Sequence, residues 1–256
     1  MGTLDFLNDM LQIFLNNRES YMRGIWYTLL ISLTGTIIGL GIGILVGVIR
    51  TIPASKSKGQ NVFLKVVNWL LNAYISIFRG TPMIVQAMVF YYGTAILWGW
   101  NITSLQAAFL IVSINTGAYM SEVVRGGIIS VDKGQFEAAR AIGMTHWQTM
   151  KEIVMPQVFR NVLPSVGNEF VINIKDTSVL NVISVNELYF TSNTIASNNF
   201  NFFGTFLVTA VIYFILTYTV TWILGRLERR MDGNANFQLV GGNQNQVAKI
   251  EDKVGV

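Results

Sequence analysis

The sequence predicts an all-α polytopic membrane protein, and three observations carry that prediction. Of its 256 residues 52% are hydrophobic and only 12% charged, with a mean hydropathy of +0.46. Soluble domains carry about 25% charged residues. Long apolar segments recur at the roughly 20-residue length that a bilayer core demands. Lys and Arg are sorted between alternate connecting loops. The net charge of +4 needs only membrane topology to explain it, and no nucleic-acid partner is called for. Cys is absent and there is a single His, His146, which excludes disulfides, thiolate metal sites, cysteine nucleophiles and His clusters.

Five segments read as transmembrane helices. The first, 25–49, contains no charge. The second, 62–97, is long enough for two elements meeting near Arg79-Gly80-Thr81-Pro82. The third covers 105–124; the fourth, 161–183, is the most polar; the fifth covers 202–225. The loop 50–65 holds Arg50, Lys56, Lys58 and Lys65, and the loop 125–160 holds Arg125, Lys133, Arg140, Lys151 and Arg160. Five more basic residues follow the last span, whereas 98–104 and 184–201 have none and read as plain loops. The positive-inside rule then places the N-terminus outside and both basic loops and the C-terminus in the cytoplasm. Residues 1–20 are expected to be an external arm or an interfacial helix, with Leu4, Leu7, Leu11 and Phe14 at helical spacing. Nothing in them reads as a cleaved leader. Residues 21–231 form the transmembrane domain and 232–256 a polar, Asn/Gln/Gly-rich tail.

Within the first span Gly35, Gly39, Gly43 and Gly47 recur every four residues. They make a flat groove for close helix approach, filled either by a neighbour in the same chain or by a second subunit.

Ionisable groups inside spans mark pathways or sites by default. On the second segment Arg79, Met83, Gln86 and Phe90 share a face; on the third Asn115, Tyr119 and Glu122; on the fourth Glu169, Asn173 and Asp176, with Lys175 a third of a turn away. Together they suit a cavity that passes a polar solute bearing both charges. The alternative is that they pair with one another and hold the bundle. The carboxylates Glu122, Glu169 and Asp176 tilt the reading towards a cationic side chain, against which Arg79 and Lys175 stand.

The loop 131–157 carries Glu137-Ala138-Ala139-Arg140-Ala141-Ile142-Gly143 and, nine residues on, Ile153-Val154-Met155-Pro156. Adjacent alanines give a helix a face with little relief, Gly143 permits a sharp bend, and Pro156 is expected to end or kink the next helix. Such a helix–turn–helix knob suits docking to another protein. His146 within it reads as a surface or docking residue rather than a catalyst.

These residues resemble the transmembrane permease subunit of bacterial ABC importers for polar amino acids, the histidine, arginine and glutamine group. The family's Glu-Ala-Ala…Gly…Ile-x-Leu-Pro signature is present, with Met155 in place of Leu, a swap of similar volume. Arg79-Gly80-Thr81-Pro82, the run from Ala118 to Ile128, and Lys175-Asp176-Thr177-Ser178 extend the resemblance over roughly residues 20–232. It implies the type I importer architecture in a bacterial plasma membrane and no cofactor on this chain. It further implies a second permease subunit, identical or not, two ATPase subunits that bind ATP and magnesium, and an extracytoplasmic binding protein that delivers the amino acid. A coupling helix at about 133–150 would sit on the ATPase. Glu137 would contact it, Ala138 and Ala139 would permit a close fit, and Gly143, followed by Met144, would set the bend. Ser178 joins the pathway residues on the same basis. The chain has no Gly-x-x-x-x-Gly-Lys-Ser/Thr run of its own. Two rivals stand beside this reading. An ion-gradient-driven carrier or channel would need no ATPase, and carriers often show an internal repeat that is not evident here. A membrane-embedded enzyme would have to rely on an acid pair such as Glu122 with Asp176.

Overall fold

The computed structural model describes residues 3–53 and 57–231; the 232–256 tail expected from composition lies outside them. Among the described residues ten α-helices follow one another: α1 (Thr3–Asn16), α2 (Arg18–Ile49), α3 (Lys58–Gly80), α4 (Met83–Trp98), α5 (Ser104–Ile129), α6 (Lys133–Ala141), α7 (His146–Thr149), α8 (Met155–Asp176), α9 (Leu188–Asn199) and α10 (Phe202–Met231). A π turn, Met150–Val154, joins α7 to α8, and a 3-10 turn, Thr177–Ile183, follows α8.

Parallel packing of α2 on α5 forms the spine. A Cβ added at Gly35, Gly39, Gly43 or Gly47 would lie 2.4, 2.6, 2.5 or 2.9 Å from a side-chain atom of Val112, Thr116, Met120 or Val124 respectively. The offset is constant down the four pairs, so the two helices run in the same direction. The glycine groove is therefore filled from within the chain. Around this spine lie three apolar clusters. Ile31, Ile111, Val112, Leu180 and Ile183 close one end, and Val124, Ile128, Val131, Met150, Val154, Val158 and Val162 close the other. Tyr21, Leu188, Ile195, Val208 and Ile212 seat α9 and α10 against α2.

The second segment is broken where the sequence indicated. Thr81, held extended by the following proline (φ −121°, ψ 145°), and Pro82 separate α3 from α4. The Gln86 amide secures the elbow by donating to the Phe78 carbonyl and to both the carbonyl and hydroxyl of Thr81, at 2.9–3.0 Å.

Among the described residues four helices are long and apolar enough to cross a membrane: Arg18–Ile49, Lys58–Gly80, Ser104–Ile129 and Phe202–Leu227. The fourth expected span, 161–183, falls on the polar α8 with its 3-10 turn, a helix that packs between α2, α5 and α10. Residues 184–201 are not a plain loop, because α9 lies there. Its Ser/Thr/Asn-rich run shows no apolar period; its hydroxyls bond back to carbonyls four residues earlier (Ser192 to Leu188, Thr194 to Phe190) and Glu187 caps its first turn. The helix expected at about 133–150 divides, ending at Ala141 and resuming at His146. Finally, Pro156 opens α8 rather than ending a helix. A proline in a first turn has no N–H to lose, and the wide π turn just before it relieves its ring.

Candidate functional site

Two adjoining cavities lie where α3, α4, α5 and α8 converge. One, about 470 Å³, is lined by Arg79, Gly80, Thr81, Pro82, Met83, Asn115, Tyr119, Glu169, Ile172, Asn173 and Asp176. The other, about 450 Å³, shares Arg79, Tyr119 and Glu169 and adds Glu122, Pro164, Ser165 and Asn168. Volumes of roughly 300–1,000 Å³ are usual for small-molecule sites. Each wall has a local cause. The α3–α4 elbow projects Arg79, whose guanidinium carbon lies 5.3 Å from the centre of the Tyr119 ring. The 3.6-residue period of α8 stacks Glu169, Asn173 and Asp176 on one face.

The sequence-derived candidates separate into three groups. Arg79, Met83, Asn115, Tyr119 and Asp176 line the first cavity, joined by Glu169. Gln86 and Glu122 are held by other side chains. Gln86 is buried in the elbow and accepts from the Asn115 amide at 2.9 Å. Glu122 edges the second cavity but is ion-paired: it accepts from Arg50 and from Arg125, the latter at 3.0–3.1 Å. Arg50 also donates to Asn72 at 2.7 Å, tying α2, α3 and α5 together. Lys175 and Ser178 belong to neither cavity; Lys175 is exposed, and the Ser178 carbonyl accepts from Asn181. Arg50 was read from sequence only as a topology charge. No spacing rule reaches from it to Glu122, 72 residues away.

Charge in the first cavity does not balance. Glu169 and Asp176 line it together with Arg79, and among the described residues neither carboxylate forms an ion pair. Asn173 steadies that wall from behind. It is 4% exposed and its amide donates to Thr36 and Thr116 at 2.9 and 3.0 Å, joining α2, α5 and α8.

At the far end of α8 stands the knob. The Asp132 carboxylate caps α6, accepting from the Gly134 N–H at 2.6 Å. Gly143, at φ +81°, ends it, with the Met144 N–H returning to the Ala139 carbonyl at 3.0 Å. Thr145 and Gln148 then form a capping box that starts α7. Glu137 and Ala138 face outwards, together with Ile142 (77% exposed) and Trp147 (64%). Ala139 turns inwards at 1% exposed, so of the two alanines Ala138 alone offers a surface. Met144 is half-buried, and Met155 packs on the cluster beneath the knob. His146 has a buried Nε2; burial, and then the nearby Arg140, hold its imidazole below the usual range and favour the neutral ring.

Residues 39–233, which include both the cavities and the knob, match the family described as binding-protein-dependent transport system inner membrane component. The glutamine transport system permease protein GlnP of Escherichia coli (strain K12) is 36% identical over 211 residues, covering 82% of this chain and 92% of that protein. The arginine transport system permease protein ArtQ of Bacillus subtilis (strain 168) is 32% identical over 213 residues, covering 83% and 93%. Among solved structures, one described as an amino acid ABC transporter with histidines superposes with a TM-score of 0.74 at 32% identity, covering 90% of this chain and all of that one. The MetNI methionine ABC transporter, at 20% identity and a TM-score of 0.68 over 84% of this chain and 97% of that one, shares the fold. On this footing the chain belongs to the family of inner-membrane components of binding-protein-dependent transport systems, and its fold is that of a type I ABC importer permease.

Proposed function

We propose that this chain pairs with a second permease subunit to form the pathway of an ATP-driven importer for a polar amino acid with a basic or amide side chain. An extracytoplasmic binding protein hands over the solute, and two ATPase subunits, which bind the ATP and magnesium, dock on the knob. The observation that carries the reading is the cavity in which Glu169 and Asp176 outnumber Arg79. Arg79 suits the solute's carboxylate and the two acids suit its ammonium and a cationic or amide side chain. Met83, Asn115 and Tyr119 complete the wall. Gln86 and Glu122 position it, while Lys175 and Ser178 act from outside it. Relatives named for glutamine and arginine transport support the same solute class.

The knob suits coupling because it is continuous with the cavity wall. A push on Glu137, Ala138 or Met144 passes through the Gly143 bend and α7, across the π turn, and into α8, the helix that carries Glu169 and Asp176. Turns of this kind recur at functional sites. With the N-terminus outside, the knob lies in the cytoplasm where nucleotide is available.

Reconstitution with the partner ATPase and binding protein tests both halves. ATP-dependent arginine or glutamine uptake is expected, and Glu169→Gln with Asp176→Asn should weaken arginine uptake about tenfold or more, since the loss of even one of the two charged contacts is worth that much. Glu137→Lys should abolish uptake while leaving membrane insertion intact. Unaltered kinetics in the acid pair would remove the cavity from the pathway. Ion-driven uptake without any ATPase would establish the carrier reading instead.

A further inference from the structure

Three cavities run into one another around the start of α2, with the α1 and α2 residues that line them outside the region that matches the family. An apolar groove of about 480 Å³ lies between α1, α2 and α10, walled by Leu11, Phe14, Ile25, Val211 and Ile215 among others. Beside it a shallow saddle shares Phe14 and Met22 with the groove and adds Arg18, Glu19 and Arg23. Arg23 in turn walls a polar trough with Asn17, Tyr27, Asn186 and Thr191. The order from grease to cation to neutral polar groups is that of an amphiphile laid along a surface.

Helix geometry sets the register. Arg18, Met22 and Ile25 stand at i, i+4 and i+7 on one face of α2, so the Arg18 guanidinium sits at the end of the groove nearest the helix start. On α10 the groove extends from Val208 to Leu216, about 12 Å of helix. One leaflet of hydrocarbon is roughly 15 Å deep, half of a 30 Å core. Among the described residues Arg18 and Arg23 enter no ion pair.

We propose that this composite site holds one phospholipid, with an acyl chain in the α1–α2–α10 groove and its phosphate on Arg18 and Arg23. Glu19 stands beside the arginines as a partner for the ammonium of a zwitterionic head. Seated there, the lipid straps α1 to the bundle.

The full chain in its transporter complex, placed in nanodiscs, can be probed with phosphatidylethanolamine carrying a diazirine on one acyl chain. Diacylglycerol with the same labelled chain is the comparison. Phosphatidylethanolamine is expected to label α1, α2 and α10 groove peptides about fivefold more than the exposed apolar face of α3 around Phe63 and Trp69. Diacylglycerol should label the two alike. Arg18→Gln with Arg23→Gln should reduce the phospholipid to the diacylglycerol pattern, and Val211→Trp, which fills the groove from an exposed position, should abolish groove labelling alone. Equal labelling of groove and α3 by phosphatidylethanolamine, as annular lipid gives, overturns the proposal. So does selectivity that survives the arginine substitutions, or groove labelling that survives Val211→Trp.

Discussion

Helix α5 is held on two sides in opposite ways. Towards α2 its side chains lie directly on glycine backbone, with nothing flexible between the helices. Towards α3 and α4, apart from the apolar cluster that Ala87 shares with Ala107 and Ala108, it is held by side-chain tips: the Tyr74 hydroxyl on the Ile114 carbonyl at 2.6 Å, and Asn115 on Phe78 and Gln86 at 3.2 and 2.9 Å. A backbone-to-side-chain interlock resists sliding because any shift drives atoms into contact. A few hydrogen bonds at an elbow whose Gly80, Thr81 and Pro82 are exposed can be exchanged for others at less cost than such an overlap. Since Arg79 rides on the elbow and Glu169 and Asp176 ride on α8 against the spine, the cavity has one wall that adjusts at the elbow and one that shifts only when α8 itself is pushed.

The contrast breaks most visibly at the spine. In Gly43→Leu the new Cβ would lie 2.5 Å from the Met120 Cβ and 2.8 Å from its carbonyl carbon. Overpacking costs about 1–3 kcal/mol and more where the obstacle is backbone, so little folded protein should be extracted in detergent. Gly41→Ala, with nothing within 4 Å of the added Cβ, should be extracted normally and supplies the control. A Gly43→Leu protein that melts like the parent would refute the interlock. Next in size is Asn173→Leu, which strips the Thr36 and Thr116 hydroxyls of a shared partner in a buried place. Leaving such groups unmatched costs about 1–3 kcal/mol, seen as a lower melting temperature with α2, α5 and α8 still assembled.

This contrast also accounts for what was legible in the sequence. A four-residue glycine period is a local signal, and so is an extended residue before Pro82; both the groove and the elbow could be read without coordinates. The Gly143 bend of the knob was equally readable, being set by one local residue, whereas the caps at Asp132 and Thr145 were not read. What filled the groove could not be read, since Val112 and Thr116 lie far along the chain and have no marker of their own. The Arg50–Glu122 pair was invisible for the same reason, so Glu122 read equally as a pathway acid or as one of the groups that pair to hold the bundle. The inward turn of Ala139 depends on packing against its own chain. Helix α9 escaped notice because its polar residues satisfy themselves through backbone carbonyls and leave no apolar stripe.

Elbow substitutions sharpen the contrast from the other side. Gln86→Leu removes the donor shared by the Phe78 and Thr81 oxygens and the acceptor of Asn115. Stability should fall by about 1 kcal/mol, because the Thr81 groups are exposed on the cavity wall. Arg79 should lose its fixed position over Tyr119, so the solute concentration needed for half-maximal uptake should rise while the melting temperature barely moves. A large melting shift with unchanged uptake would make the elbow part of the spine.

Tyr74→Phe is the smallest and most discriminating case. The hydroxyl contributes one bond, to the Ile114 carbonyl, and the ring stays packed 5.2 Å from Phe78. Removing a donor while keeping the shape costs about 0.5–1.5 kcal/mol. If α3 is an adjustable wall, that loss should appear as faster amide hydrogen exchange along α3 alone, with exchange in α2 and α5 unchanged, because the spine does not depend on this bond. Exchange rising together in α3, α5 and α2 would mean that the two walls open as one cooperative unit. The glycine interlock would then be a packing feature without mechanical consequence, and motion of α8 would have to be sought at the π turn rather than at the elbow.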